Sequence, residues 1–292
     1  MPPRATTHHD SPSPRTTARP AILVVGYGHL GEHLAGCLAN KKVTVTIIDR
    51  DREAFSNFSR ARQTRCLVGD PMEPELLERA NISEADVLIA ATGQDECNAA
   101  LAVTAQKLFG VQHAIARVRN PDRAGSLSRL GMEPVCPTTL EAEAIASHVD
   151  RASPERIVVV GCGRVGSRVV QLLSKEGHRV AVIDPRAASF EHLPESLGHR
   201  IAGDATDWRV LERAGVREAG WVMAATHEDK VNLMVALMAR RALGIKHVVA
   251  RVHDPRHQAL LEQVSTVSST ILSAKAVLRI VGGWVDGAPW VP

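Results

Sequence analysis

The sequence predicts an α/β fold built as two tandem, doubly wound parallel-sheet domains, and three observations carry that reading. The first is an internal repeat. Ile22-Leu-Val-Val-Gly-Tyr-Gly-His-Leu-Gly31 returns 135 residues later as Ile157-Val-Val-Val-Gly-Cys-Gly-Arg-Val-Gly166. Ile47-Ile-Asp49 matches Val182-Ile-Asp184 at the same offset. Gly69-Asp70, Ala90-Ala-Thr92, Asn98, Gly110 and Ala116-Arg-Val-Arg-Asn-Pro121 then match Gly203-Asp204, Ala224-Ala-Thr226, Asn232, Gly244 and Ala250-Arg-Val-His-Asp-Pro255 one residue closer. The second is the alternation of short apolar runs with amphipathic stretches, the pattern of a parallel sheet with crossover helices. The third is composition. The 292 residues are 45% hydrophobic but only 3% aromatic, so the apolar content is aliphatic, as strands buried on both faces require.

The elements of the first unit follow in order. Ala21–Val25 is an apolar strand, and His29–Ala39 carries apolar residues at helical spacing. Val43–Ile48 is β-branched and strand-like, Asp51–Arg60 reads as a helix, Gln63–Val68 as a third strand and Glu73–Arg79 as a short helix. Val87–Ala91 is strand four. Glu96–Phe109 is a longer helix closed by Gly110. His113–Val118 is strand five, and Pro121 opens a helix at a favoured first-turn position. Val135 begins a short last strand before the helix Thr138–Val149. The second unit repeats this order to a last helix at Thr270–Val281, after a linker at Asp150–Glu155 with Ser153-Pro154 as its breaker. The expected organisation is a disordered leader over 1–19 (a weak transit peptide being the alternative), domains over 20–150 and 151–283, and a tail over 284–292 with Trp284 and Trp290. That tail would dock on a partner or neighbouring unit, or fold back over an apolar surface.

Composition also excludes. With 35 basic and 32 acidic residues the net charge is +3, which is no footprint for a nucleic-acid binder. No apolar run approaches the ~18–20 residues of a membrane span. The five cysteines contain no CxxC pair, no HExxH occurs, and no metal site is expected. They read as reduced thiols of a cytosolic protein.

Gly26-x-Gly28-x-x-Gly31 follows a strand and opens a helix, with Tyr27, His29 and Leu30 between the glycines. In such a loop the first glycine makes the turn, the second lets the backbone approach a pyrophosphate, and the third permits close helix–strand packing. The helix N-terminus then attracts the phosphates. Asp49 ends the next strand where a ribose-binding acid belongs. The arrangement recurs as Gly161, Cys162, Gly163, Arg164, Val165 and Gly166 with Asp184. Both units therefore read as Rossmann-like. The two acids favour NAD(H) or an adenine nucleotide over NADP, whose 2′-phosphate they would repel. Asp70, Asp204, Thr92, Thr226, Arg117 and Arg251 stand at or near C-terminal strand ends, where ligands bind in such sheets. The alternative for the aspartates is helix capping, and for the arginines an ion pair. No set of residues reads as catalytic, and the second half is a repeat rather than a substrate domain.

These residues resemble the RCK, or TrkA-N, domains that regulate potassium transporters and channels. Beyond the glycine loops, the resemblance rests on Gly203-Asp-Ala-Thr-Asp207 with Leu211-Glu-Arg-Ala-Gly215, on Ala224-Ala-Thr226 with His227-Glu-Asp-Lys-Val-Asn232, and on Ala250-Arg-Val-His-Asp-Pro255. It covers Ala21–Val149 and Ile157 to about Val281. It implies a regulatory subunit that binds NAD(H) or ADP/ATP through the loop residues, aspartates, threonines and arginines named above. Such a subunit is a cytoplasmic homo-oligomer forming a ring of Rossmann units at the inner face of the cell membrane. Its partner is a Trk/Ktr-type potassium-translocating subunit, and it is not an enzyme. Two departures stand out. No room for the family's further C-terminal subdomain is expected after either unit, and Pro137 is followed by Thr138 where the family often has an acid. The alternatives are an NAD-dependent oxidoreductase and a regulator of a different permease or antiporter.

Overall fold

The computed structural model describes residues 19–56, 58, 64–150, 155–261 and 264–287. The expected leader (but for its last residue), Trp290 and most of the linker lie outside them.

The first unit contains strands β1 (Ala21–Val25), β2 (Thr44–Asp49), β3 (Thr64–Val68), β4 (Val87–Ala90), β5 (His113–Arg117) and β6 (Glu133–Val135). The second contains β7 (Arg156–Val160), β8 (Arg179–Asp184), β9 (His199–Ala202), β10 (Trp221–Ala224), β11 (His247–Val252) and β12 (Ser265–Ser268). Each set forms a six-stranded sheet, in the orders β3-β2-β1-β4-β5-β6 and β9-β8-β7-β10-β11-β12. Every pairing is parallel. Val25 lies between Ile48 and Ala90, and Val160 between Ile183 and Ala224, so the two registers are equivalent. The strand order reverses between β1 and β4, and between β7 and β10. These are the switch points where such sheets open a crevice at their carboxyl ends.

The helices are α1 (His29–Leu38), α2 (Pro74–Arg79), α3 (Asp95–Leu108), α4 (Pro121–Arg129) and α5 (Pro137–Ala146), then α6 (Arg164–Lys175), α7 (Trp208–Arg213), α8 (Asp229–Leu237) and α9 (Ser269–Val285). Local chemistry starts several of them. Asn120 accepts the Asp122 amide ahead of α4, with Pro121 in the first turn, and Asp207 accepts the Arg209 amide at α7. At the starts of α1 and α6, Gly28 and Gly163 are extended and offer no side-chain cap, so no side chain of the N-cap residue meets the first helical amides.

The last helices cross over. On α5, Ala142, Ile145 and Ala146 bury themselves among Ile157, Val159 and Met223 of the second sheet, with α6 alongside. On α9, Ala274, Val277, Leu278 and Val281 enter the first sheet's cluster with Ile22, Val24 and Val45, against α1. Each of these aliphatic side chains contributes about 1.5–3 kcal/mol when fully buried, apart from the smaller alanines. Each sheet thus has one face closed by the other unit's last helix, and α5 packs on α9 between them.

Four expectations need correction. Over Asp51–Arg60 the described residues form only a single 3-10 turn, Glu53–Phe55, because Asp51 Oδ1 accepts the Glu53 amide at 2.8 Å and Phe55 turns in to stack on Tyr27. The counterpart of α4 is a short 3-10 segment, Pro255–Leu260, although Asp254 caps it as Asn120 caps α4. The end of α8 passes into a π turn, Met238–Ala242, where Arg240 donates to the Ile245 and Lys246 carbonyls. Trp284 belongs to α9 rather than to a tail. Its ring stacks on His113 of the first unit with centroids 4.1 Å apart.

Candidate functional site

Each crevice is assembled from the loop after the first strand upward. Gly26 and Gly161 have φ of +102° and +97°, which only glycine adopts freely, and a Cβ on either would press on the backbone near Thr92 or Thr226. A Cβ on Gly31 or Gly166 would collide with the carbonyl oxygen of Gly26 or Gly161, whereas Gly28 and Gly163 face open space. The three glycines thus turn the chain, admit a ligand and let the helix approach the strand.

The acids at the next strand ends brace these loops. Asp49 Oδ2 accepts the Tyr27 amide at 2.5 Å, and Oδ1 accepts the Asp51 amide at 2.9 Å. Asp184 accepts Cys162 and Arg186 amides at 2.9 and 3.0 Å. Both acids remain on their cavity walls. Tyr27 packs with Phe55 and Phe58, while its counterpart Cys162 is fully buried and its thiol is pushed up to about 11 by that burial.

Thr92 and Thr226 line the cavities next to buried asparagines. Each threonine amide and hydroxyl donates to Asn98 or Asn232 Oδ1, at 2.9 and 2.6 Å in the first unit and 2.9 and 2.7 Å in the second. The asparagine Nδ2 then donates to the Arg117 or Arg251 carbonyl, at 2.8 and 3.0 Å, which ties the end of strand four to the end of strand five. Asn98 and Asn232 were visible in the sequence only as a repeated pair. Their full burial makes them the hubs that hold the crevice's floor.

Asp70 and Asp204 line neither of these cavities. Asp70 pairs with Arg50 at 2.7 Å and accepts the Met72 amide, so its carboxyl lies below the ordinary carboxylate range; Asp204 accepts the Thr206 amide and hydroxyl. Both serve the turn that follows strand three.

The crevices are closed from across the molecule. The first is a cavity of about 300 Å³, bounded by Gly26, His29, Asp49, Thr92 and Arg117 and by Thr270 and Ser273 of α9. The second, of about 660 Å³, has Gly161, Arg164, Asp184, Thr226 and Arg251 on one side and Arg117, Arg119, Thr138 and Glu141 of the first unit on the other. Arg117 and His253 border both cavities. Burial, reinforced by the nearby Arg119 and Arg164 charges, pushes Arg117 below the usual guanidinium range. Arg117 Nη1 donates to the Thr92 carbonyl at 3.3 Å, and Arg251 Nη1 to the Thr226 carbonyl at 3.0 Å. Arg251 also forms an ion pair with Glu141, whose side chain is fully buried.

Glu141 is one of the cavity residues that the sequence reading missed, together with Arg119, Thr138, His253, Thr270 and Ser273. Its signal was an acid on the apolar stripe of α5, one turn after Thr138 and one turn before Ile145. Among the described residues no group of three or more His, Cys, Asp or Glu could hold a metal ion.

Paired crevices of this kind, each with a glycine turn, a helix start without a side-chain cap and a strand-end acid, define a protein with two tandem Rossmann-like domains. The TrkA-N domain model matches residues 22–137 and again 157–273, and the chain belongs to that family. A Trk system potassium uptake protein TrkA of Methanosarcina mazei (homolog 1) is 25% identical over 89% of this chain and 89% of its own length. One from Halomonas elongata is 23% identical over 82% and 74%. One from Streptomyces coelicolor is 40% identical, but over 42% of this chain and 56% of its own. Several curated relatives, this one included, are thus matched over only about half their length. In fold, the chain resembles GsuK bound to ADP, with a TM-score of 0.75 and 21% identity over 92% of this chain and 70% of that one. It also resembles the GsuK channel bound to NAD, with a TM-score of 0.74 and 17% identity over 94% and 65%. No helix among the described residues is long and apolar enough to cross a membrane.

Proposed function

We propose that this protein is a nucleotide-binding regulatory subunit of a membrane potassium uptake system, taking NAD(H) or ADP/ATP in its two crevices and catalysing no reaction. The observation that carries this reading is that each crevice is walled by both units. Arg117, Thr138 and Glu141 close the second cavity, and Thr270 and Ser273 close the first. A ligand there touches both units at once, so binding favours one mutual arrangement of the two sheets over another. The exchanged helices α5 and α9 then carry that change outward. The names of the relatives direct the reading toward potassium uptake, and the two GsuK complexes toward ADP and NAD as ligand classes.

The unit's partner is a Trk/Ktr-type translocating subunit, met at the inner face of the cell membrane by a homo-oligomeric ring of these domains. Calorimetry of the full chain with NADH, NAD, ADP and ATP tests the ligand reading, and absence of binding by all four rejects it. Co-purification with a potassium-translocating membrane protein, together with potassium uptake in a deletion strain, tests the rest. Unchanged uptake rejects the potassium role.

A further inference from the structure

Glu141 is fully buried, yet the structure uses only one of its carboxylate oxygens. Oε2 receives Arg251 Nε, while Oε1 has no hydrogen-bond partner. An acceptor oxygen left unsatisfied in the interior is costly, so a donor that reaches it from the cavity gains by meeting it. The residue stands on the wall of the second cavity, although it is carried by the first unit's α5. The repeat places Ser273 of α9 at the same point of the first cavity; it too is buried, with an unpartnered Oγ. Arg251 therefore faces a carboxylate, while Arg117 has no ion-pair partner among the described residues.

Geometry orders what each cavity offers. The glycine loop and helix amides take a pyrophosphate, and Asp49 or Asp184 takes the ribose on one side of it. Arg117 with Ser273, or Arg251 with Glu141, meets whatever the nucleotide carries on the other side. A carboxylate that already occupies Arg251 repels a terminal phosphate and accepts from hydroxyls. A guanidinium that donates to a carbonyl but pairs with no carboxylate, together with a serine hydroxyl, attracts a terminal phosphate. The volumes agree with this division, about 660 Å³ against about 300 Å³. The further arginines of the larger cavity do not restore a terminal-phosphate site: Arg164 stands at the glycine loop, where the pyrophosphate lies, Arg119 pairs with Asp95 and Arg186 with Asp184, and Arg117, which borders both cavities, is tied to the Thr92 carbonyl on the first crevice's side.

We infer that the two crevices take different nucleotides: the second a dinucleotide, whose distal ribose donates a hydroxyl to Glu141, and the first a nucleoside di- or triphosphate, whose terminal phosphate meets Arg117 and Ser273. This rests on the nucleotide reading above.

Calorimetry with NADH and ADP on the full chain tests it, with Asp49→Ala leaving the second crevice to be read and Asp184→Ala the first. The Asp49→Ala protein is expected to bind NADH at least about tenfold tighter than ADP, and Asp184→Ala the reverse, a charge-assisted hydrogen bond being worth about that factor. Adding Glu141→Gln to Asp49→Ala should weaken NADH and tighten ADP. Adding Ser273→Glu to Asp184→Ala should weaken ADP, a change in the other crevice that does not depend on how well Glu141→Gln folds. Equal NADH-to-ADP ratios in the two single variants, or ratios unmoved by both added substitutions, overturn this inference and leave nucleotide binding standing. If neither ligand binds the wild-type chain, the nucleotide reading itself is lost.

Discussion

The two crevices share a backbone and differ in their electrostatics. Glycine turns, bracing aspartates and the Thr–Asn hubs correspond residue for residue, and the hydrogen bonds of the hubs agree within about 0.2 Å. Differences stand in the glycine loop, with Tyr27 against Cys162 and His29 against Arg164, and where the opposite unit closes the crevice, with Glu141 against Ser273 and Arg119 against His253. A duplicated fold thus keeps the backbone that shapes the crevice and varies the side chains around it.

The largest expected effect breaks this comparison at the arginines. Arg251→Ala strands a buried carboxylate and should cost about 3–5 kcal/mol of unfolding free energy. Arg117→Ala removes a hydrogen bond to the Thr92 carbonyl and leaves no partnered acid behind, and should cost about 1 kcal/mol. Urea unfolding of the two variants checks the difference, and equal losses would mean that the Arg251–Glu141 pair is not formed in solution.

Where the crevices agree, matched substitutions should act alike. Gly31→Ala and Gly166→Ala each press a Cβ onto a carbonyl oxygen and should cost about 1–3 kcal/mol. Gly28→Ala and Gly163→Ala meet nothing and should change stability by less than about 1 kcal/mol, their added methyl standing instead in the ligand's path. Thermal melts together with nucleotide titrations separate the two classes.

A third contrast lies at the exchanged helices. Trp284 anchors the end of α9 on His113 of the first unit. The Trp284→Ala variant should lose about 0.5–1.5 kcal/mol for the ring pair, beyond its lost apolar area. Hydrogen exchange in α9 should rise more than in α5, which is held by its aliphatic stripe.

Much of this was legible in the sequence. The repeat located both glycine loops and both acids, and period and length gave nearly every strand, because parallel strands buried on two faces leave an unmistakable aliphatic signature. What escaped is long-range. The apolar stripe of Ala142, Ile145 and Ala146 declares a buried face but not which sheet buries it, so the exchange of α5 and α9 was hidden. With it was hidden Glu141, whose role exists only because α5 reaches the other unit's cavity. The turn at Glu53–Phe55 escaped for the opposite reason: an Asp51 side-chain bond to the backbone competes locally with the helix that the composition favours.

The smallest expected effect concerns pH and the Arg119/His253 contrast. Asp95 accepts the Arg119 and Asn120 amides and the Arg119 side chain. Asp229 accepts the His253 and Asp254 amides and the rings of His253 and His257. Although burial opposes it, these bonds hold both carboxyls below the ordinary range, so their contribution disappears only as pH falls through those depressed values, alike in both units. His253 behaves differently. Burial, followed by the Arg251 charge, sets its folded pKa below the ordinary ~6.5, outweighing the Asp229 hydrogen bond and the Glu141 and Asp229 charges that act to raise it. The unfolded chain therefore takes up the proton first. Stability is complete above ~6.5 and declines as pH falls toward the folded value, then levels off. His113 is lowered by burial in the same sense at the far end of the first sheet, so the wild-type slope has a share from each unit. His253→Arg, which copies Arg119, should flatten the urea midpoint between about pH 7.5 and 5.5 by the second unit's share and leave the share of His113 intact. A slope unchanged in His253→Arg would show that burial does not hold His253 below its ordinary range in the folded chain. A slope flattened also by His113→Gln alone would apportion the remainder to the Trp284 end of the first sheet.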